Sequence, residues 1–140
     1  MSSSLLFHNG VVITLLMSFD VPRSNARNIE IHGTGGSLHV PDPNTFGGPV
    51  SYARRGGEGL KEVPLTHGYT DNMRAIGLAD MADGIINDRP HRASGELAAH
   101  VLEVMLALDE ANRTRANVMI KSRVEQPEAL GSSLTYGDVH

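Results

Sequence analysis

A chain of 140 residues and 15.0 kDa has the length of one domain, and we expect residues 1–140 to form a single domain. The absence of cysteine excludes disulfides, thiolate metal sites and cysteine nucleophiles, and it fits the reducing cytoplasm, where we expect the chain to be found. The net charge of -4 gives no basic footprint for nucleic acid, and no apolar run is long enough to span a bilayer, so we expect neither as a partner.

The first predicted element is a β-hairpin over residues 4–19. The runs LLFH and VVITLLMSF flank Asn9-Gly10, a pair that favours two-residue hairpin turns because both central residues adopt positive φ. In the second arm, residues 11–19, both faces are largely apolar, whereas a strand with one face in water alternates apolar and polar residues. We therefore expect this arm to be covered on both faces.

The glycines of IEIHGTGGSLHV allow two interpretations, a phosphate-binding loop or a hairpin turn. A dinucleotide-binding loop has the spacing G-x-G-x-x-G and leads into a helix, but here a second strand-like run, SLHV, follows the glycines. We therefore predict a hairpin with Gly35 and Gly36 at positive φ. Its two arms each alternate apolar and polar residues, and VSYARR and LKEVPL predict two further short strands.

From residue 71 the pattern becomes helical. Asp71 is predicted to cap a first helix that ends before Pro90, and Ser94 is predicted to cap a second. The run NVMIKS predicts a last strand. Strands followed by helices indicate an α+β fold, an open and mainly antiparallel sheet with two main helices packed on one face.

Histidines invite a metal interpretation. His32 and His39 are predicted to lie on one polar face of the second hairpin as near diagonal neighbours. Zinc needs more ligands than these two, and the chain has no H-x-x-x-H or H-E-x-x-H motif. We therefore expect a solvated or interface face here, and no metal site.

The segment LTHGYTDNMR carries the candidate substrate-binding residues, which are His67, Tyr69, Asn72 and Arg74. These polar side chains lie where a strand leads into a helix, and polar loop residues often bind ligands. The alternative is a polar loop that only caps the helix. The nearby segment PDPNTFGG is expected to border a cleft or a neighbouring subunit, or to be only a proline-rigidified loop. His67 and Asp71 could in principle transfer a proton, but nothing beyond their spacing marks them, so we assign no catalytic residue.

Four segments resemble one known family: LLFHNGVVITLLMSFDV, IEIHGTGGSLHVPDPNTFGGPV, EVPLTHGYTDNMRAIGLADMADGI and RPHRASGELAAHVLEVMLAL. Over about Leu5 to Ile120 the chain is similar to the C-terminal domain of the glucose–fructose oxidoreductase, inositol dehydrogenase and rhizopine-catabolism (Gfo/Idh/MocA) oxidoreductases. The resemblance implies an open antiparallel sheet with helices on one face and an oligomer interface on the other. It also implies a parent enzyme whose Rossmann domain binds NAD or NADP and whose substrate is a sugar or polyol.

The chain lacks the sequence motifs that carry the catalytic chemistry in that family. It has no G-x-G-x-x-G, no Glu-Lys-Pro and no Asp-x-x-x-His. We therefore expect a fragment that lacks its Rossmann partner domain, binds no cofactor and does not catalyse alone. Self-association through the sheet is expected, as a homodimer or larger assembly, through Val12, Thr14 and Leu16 or else through their alternating neighbours. The alternative function is a stand-alone, non-catalytic dimerisation or small-molecule binding module.

Overall fold

The computed structural model describes residues 1–71, 73–135 and 137–139. These residues form an α+β fold, as predicted, with antiparallel sheets and two helices. The chain divides into two compact units. Unit 1 comprises Met1–Ser24 and Ala93–Gln126, and unit 2 comprises Asn25–Arg92 and Pro127–His140.

Unit 1 begins with the predicted hairpin, in which β1 (Ser2–Leu6) pairs antiparallel with β2 (Val12–Leu16). The turn differs in type from the prediction. Gly10 has a φ of 85°, but Asn9 does not have positive φ. The N–H of Gly10 donates to the carbonyl of Phe7 at 2.9 Å, and the Asn9 side chain accepts from the N–H of Val11 at 3.1 Å. A turn followed by a glycine bulge therefore replaces the two-residue turn.

The register of this hairpin separates its two faces. Leu5 pairs with Ile13, and the half-buried Leu15 lies on the same face. The long helix of unit 1 lies against β1. The opposite face is exposed, with Leu6 at 78%, Val12 at 62% and Leu16 at 76% of their full accessibility. Unit 1 itself therefore leaves exposed a face of the hairpin on which these three apolar side chains lie beside Ser2, Ser4 and Thr14.

Unit 2 contains a four-stranded antiparallel meander. Its strands are β3 (Ile29–Gly33), β4 (Gly36–Val40), β5 (Val50–Arg54) and β6 (Lys61–Val63). The register confirms the predicted faces, because Ile31 pairs with Leu38 and Leu38 with Tyr52, whereas Glu30 pairs with His39. One face of this sheet is therefore mainly apolar and the other polar.

The glycine turn between β3 and β4 is a hairpin turn, as predicted, but only one of the two glycines has the predicted conformation. Gly36 has a φ of 154°, and a Cβ there would stand 2.1 Å from the carbonyl oxygen of Ala53. Gly35 does not have positive φ, and a Cβ there would meet nothing within 4 Å. Close approach of β5 therefore requires glycine at 36 but not at 35.

Helix α1 (Ile76–Ile86), also in unit 2, starts later than predicted. Its N-cap is Ala75, which makes no side-chain cap hydrogen bond, so the capping role predicted for Asp71 is wrong. The helix ends four residues before Pro90. Asp88 adopts a φ of 49°, and the N–H of Arg89 donates to the carbonyl of Gly84 at 2.9 Å, which is the closing bond of a Schellman motif.

The long helix of unit 1 is α2 (Gly95–Thr114). It begins as predicted at Ser94, whose side chain accepts from the N–H of Leu97 at 3.2 Å, and it ends where Arg115 adopts a φ of 58°. The strand predicted over 117–122 does not form. The Glu103 side chain, on α2, accepts the N–H groups of Lys121 and Ser122 at 2.8 and 2.9 Å, so the helix satisfies donors that a strand would give to a neighbour.

The interior is small. Among the described residues, the buried apolar side chains are Leu108 in unit 1 and Val139 in unit 2, and the buried charged side chain is Asp80. No helix in the described ranges is long and apolar enough to cross a membrane.

Candidate functional site

His67 and Tyr69 lie along one pocket of unit 2. The pocket has a volume of about 430 Å³, and the loop from Pro41 to Gly48 forms another of its walls. The sequence suggested that PDPNTFGG borders a cleft, and the structure places this loop there. The lining is mainly apolar, from Val40, Pro41, Pro43, Phe46, Val50 and Leu65, with Asp42 and His67 as its charged or ionisable members.

Local hydrogen bonds hold that loop. The Asp42 side chain accepts from the N–H of Asn44 at 2.9 Å and starts a short 3-10 turn over Pro43–Thr45, which closes at Phe46 with a φ of 69°. Gly47 follows and is buried. It lies so close to Thr70 that a Cβ at this position would stand 2.0 Å from the carbonyl oxygen of Thr70. The loop therefore packs directly against the segment that carries His67 and Tyr69.

His67 is exposed, and its ring Nδ1 lies 2.9 Å from the hydroxyl of Thr66. The structure gives no hydrogen bond or ion pair between His67 and Asp71, both of which it describes. Nothing in the geometry therefore marks that pair for proton transfer.

Tyr69 is held by its hydroxyl. The oxygen lies 2.8 Å from the carbonyl of Thr135 and 2.5 Å from that of Asp138, and it accepts from the N–H of Gly137 at 3.0 Å. A phenol has one proton, so it donates to one of these carbonyls at a time or divides the bond between them. The backbone φ of 59° is unusual for a tyrosine. Tyr69 therefore lines the pocket, while its hydroxyl bonds the backbone of Thr135, Gly137 and Asp138.

The other two candidate residues do not join this pocket in the same way. Arg74 donates from Nη2 to Oδ1 of Asn44, on the 3-10 turn, and it is not among the residues that line the pocket. Asn72 lies outside the described residues. Of the four candidates, the structure brings His67 and Tyr69 together.

A charged cluster that the sequence did not lead us to expect lies at the end of α1. Asp80 is 3% exposed, and its Oδ1 lies 2.9 Å from Nη2 of Arg89 and 2.5 Å from Nη1 of Arg92. Its Oδ2 accepts the backbone N–H of Arg92 at 2.7 Å. Arg89 also bonds Asp83, with Nε 2.7 Å from Oδ2. Both oxygens of Asp80 are thus engaged within unit 2, so this carboxylate holds the two arginines in place.

Electrostatics at Asp80 follow from this geometry. Burial alone raises the pKa of its carboxyl, but the hydrogen bonds from the Arg92 N–H and the Arg89 guanidinium, with the charges of both arginines, outweigh burial and lower the pKa. The two aspartates in turn raise the pKa of Arg89. The signal in the sequence was the pair Asp80 and Asp83, three residues apart on one side of a predicted helix, followed by the two arginines of the segment DRPHR. By itself this pattern indicates only the end of a helix.

The two histidines of the predicted pair both lie near the carboxylate of Glu30. His32 and His39 are diagonal neighbours, as expected, and Glu30 lies between them, with its oxygens 3.9 Å from Nε2 of His32 and 3.4 Å from Nε2 of His39. Arg27 stands 3.6 Å from the same carboxylate. Across the part of the chain that the structure describes, no group of three or more His, Asp or Glu has a geometry that could hold a metal ion.

The cofactor that the family resemblance implies does not fit the glycine turn. The turn joins two paired strands instead of leading into a helix N-terminus, and the carbonyl of Gly35 accepts the N–H of Arg55 at 2.9 Å. The turn therefore lacks the row of helical N–H donors that binds a pyrophosphate.

Comparison with known proteins gives no relative: no family model, curated protein or solved structure matches the chain.

Proposed function

We propose that the chain is the substrate-binding and oligomerisation domain of an NAD(P)-dependent sugar or polyol oxidoreductase of the Gfo/Idh/MocA type, and that it does not catalyse alone. The observation that carries the proposal is the resemblance of two segments to that family. IEIHGTGGSL coincides with the β3–β4 hairpin, and RPHRASGELAAHVLEVM runs from the arginine cluster through the cap of α2. The α+β class and the antiparallel pairing are compatible with such a domain.

The pocket beside His67 supports a small-molecule substrate. Its volume of about 430 Å³ lies within the range of small-ligand pockets, ~300–1,000 Å³. Apolar walls suit the C–H faces of a sugar or polyol, while Asp42 and His67 supply acceptor or donor atoms for its hydroxyl groups. Tyr69, which also lines the pocket, is an aromatic residue of the kind on which such a face can pack.

A titration followed by amide NMR tests this substrate class. We expect glucose or myo-inositol to cause saturable shifts in the loop 41–48 and around His67. His67→Ala should weaken binding about tenfold, which corresponds to ~1.4 kcal/mol. His8→Ala, an exposed histidine of unit 1, is the matched control and should bind as the wild type. Shifts that never saturate, or that are the same in both variants, would remove the pocket from the proposal.

A second titration addresses catalysis. Calorimetry with NAD and NADP should give no binding in the micromolar range, and the chain should oxidise no polyol. Micromolar binding of either nucleotide would contradict the proposal that a separate Rossmann domain, and not this chain, binds the cofactor.

The alternative, a stand-alone dimerisation or small-molecule binding module, is supported by the same exposed face of β1 and β2, with Leu6, Val12 and Leu16, which both functions use for association. Both functions predict a chain that binds no nucleotide, so the DNA upstream separates them. An in-frame segment that encodes a Rossmann domain supports the dehydrogenase, whereas a ribosome-binding site at Met1 supports the module.

A further inference from the structure

The segment from Glu128 to Val139 is held to the rest of unit 2 mainly through its backbone. Arg92 donates from Nε to the carbonyl of Glu128 at 2.8 Å and from Nη1 to that of Val139 at 3.0 Å. The hydroxyl of Tyr69 bonds the carbonyls of Thr135 and Asp138 and the N–H of Gly137. Two side chains thus engage five backbone groups of the segment.

Val139 is the buried side chain among the described residues of the segment. It is 5% exposed, and it lines a pocket of about 150 Å³ with Met73, Ala75, Ile76 and Ala79 at the start of α1. The pocket is not filled by Val139, so it has room for a different apolar side chain at that position.

One of these two side chains, Arg92, is also held by contacts outside the segment. Arg92 is oriented by its bonds to the buried Asp80, which are independent of the segment. A guanidinium held in this way loses little freedom on binding a carbonyl, and preorganised donors strengthen binding. Backbone hydrogen bonds combined with one side-chain pocket are a recurring mode of recognising an extended peptide.

We propose that Tyr69, Arg92 and the start of α1 form a peptide groove, that the described residues 128–135 and 137–139 fill it in cis, and that the same segment of a second copy of this chain fills it in trans. A second copy is the fitting occupant because its segment presents the same backbone and the same valine to the same donors. The segment follows the exposed Glu125 and Gln126, which lie in neither a helix nor a strand at the boundary between unit 1 and unit 2. A hinge before Glu128 is the arrangement that permits segment exchange between copies.

A fluorescein-labelled peptide of residues 127–140 tests the groove. The host is the full chain with Val139→Asp. This substitution weakens the binding of the host's own segment in the groove and leaves Tyr69 and Arg92 intact. We expect the peptide to bind this host at least ~10-fold more tightly than the wild type, because the cis segment of the wild type competes for the groove. A peptide that carries Val139→Asp is the matched control and should not bind. Adding Tyr69→Phe to the host should weaken binding of the unaltered peptide.

Equal binding to both hosts, equal binding of both peptides, or no binding to a folded Val139→Asp host would overturn the proposal. If Val139→Asp unfolds unit 2, the wild type supplies the decisive measurement. Excess unlabelled peptide should then speed hydrogen exchange of the Gly137 amide in the intact chain, and unchanged exchange at saturating peptide would overturn the proposal as well.

Discussion

Both carboxylate oxygens of Asp80 bond Arg92, one through the guanidinium at 2.5 Å and the other through the backbone N–H at 2.7 Å. This double attachment fixes the backbone at residue 92 as well as the side chain. Because the same arginine reaches the carbonyls of Glu128 and Val139, the carboxylate of Asp80 indirectly orients the donors of the peptide groove.

Replacing Asp80 should therefore destabilise unit 2. Breaking a fully buried ion pair costs about 3–5 kcal/mol, but Arg89 and Arg92 retain 25% and 27% of their side-chain exposure, so solvent screens the pair. We expect Asp80→Asn to lower the free energy of unfolding by about 2 kcal/mol. Tyrosine fluorescence in denaturant measures it, because Tyr52 and Tyr69 belong to unit 2 and unit 1 has no tyrosine or tryptophan. Asp109→Asn, on the exposed surface of α2, is the control, and a similar loss in both variants would contradict the role of the cluster.

Glu103 should make the attachment of residues 121–122 to α2 dependent on pH. The Ser122 side chain and the N–H groups of Lys121 and Ser122 lower the pKa of Glu103 from 4.5 to about 2, with a further contribution from the charge of His100. A lowered folded pKa means that this stabilisation is complete above about pH 4.5 and is lost as the pH falls towards 2.

Amide exchange of Lys121 and Ser122 measures this loss, and it should accelerate within that pH window more than exchange in the middle of α2. Glu103→Ala should already show the fast exchange at neutral pH. Glu110→Ala, on the same helix, should keep the wild-type profile. A profile that is flat between pH 4.5 and 2 would show that Glu103 does not hold the segment.

Local signals predicted the elements whose cause is local. Asn9-Gly10 indicated the first hairpin and Ser94 the start of α2, because a turn glycine and a capping oxygen act on the backbone within a few residues. Alternation likewise predicted the two faces of the sheet in unit 2.

Distant partners decided the features that local patterns did not predict. The run 117–122 has the composition of a strand, but a carboxylate eighteen residues before Lys121 takes its N–H. In the candidate site, spacing suggested that Arg74 joins His67, whereas Asn44 of another loop binds the arginine instead. The hydroxyl of Tyr69 is engaged by residues more than sixty positions away, which no local pattern indicates.

The two glycines of the β3–β4 turn should respond differently to the same substitution. Gly36→Ala places a Cβ against the carbonyl of Ala53 at a φ of 154°, and we expect it to destabilise unit 2 by at least about 2 kcal/mol. Gly35→Ala adds the same methyl group in open space and should change stability by less than about 1 kcal/mol. Denaturant unfolding compares the two. If Gly35→Ala were the more damaging variant, the close approach of β5 would not be the reason for the glycine.

The exposed face of the first hairpin should drive self-association. The sequence left open which residues of β2 face outwards, and the structure settles the register: Val12, Thr14 and Leu16 share the exposed face, while Leu15 lies on the half-buried one. Large exposed apolar patches on soluble chains usually mark an interface, so we expect the wild type to sediment as a dimer or larger assembly.

Leu16→Lys should give a folded monomer, because a lysine on this face opposes its burial against a second copy. Leu15→Lys should instead unfold unit 1, since a lysine at this half-buried position gives up part of its hydration. Ile85→Lys, on the exposed surface of α1, controls for the added charge and should leave the assembly intact. A wild type that remains monomeric at high concentration would exclude this face as an interface between copies.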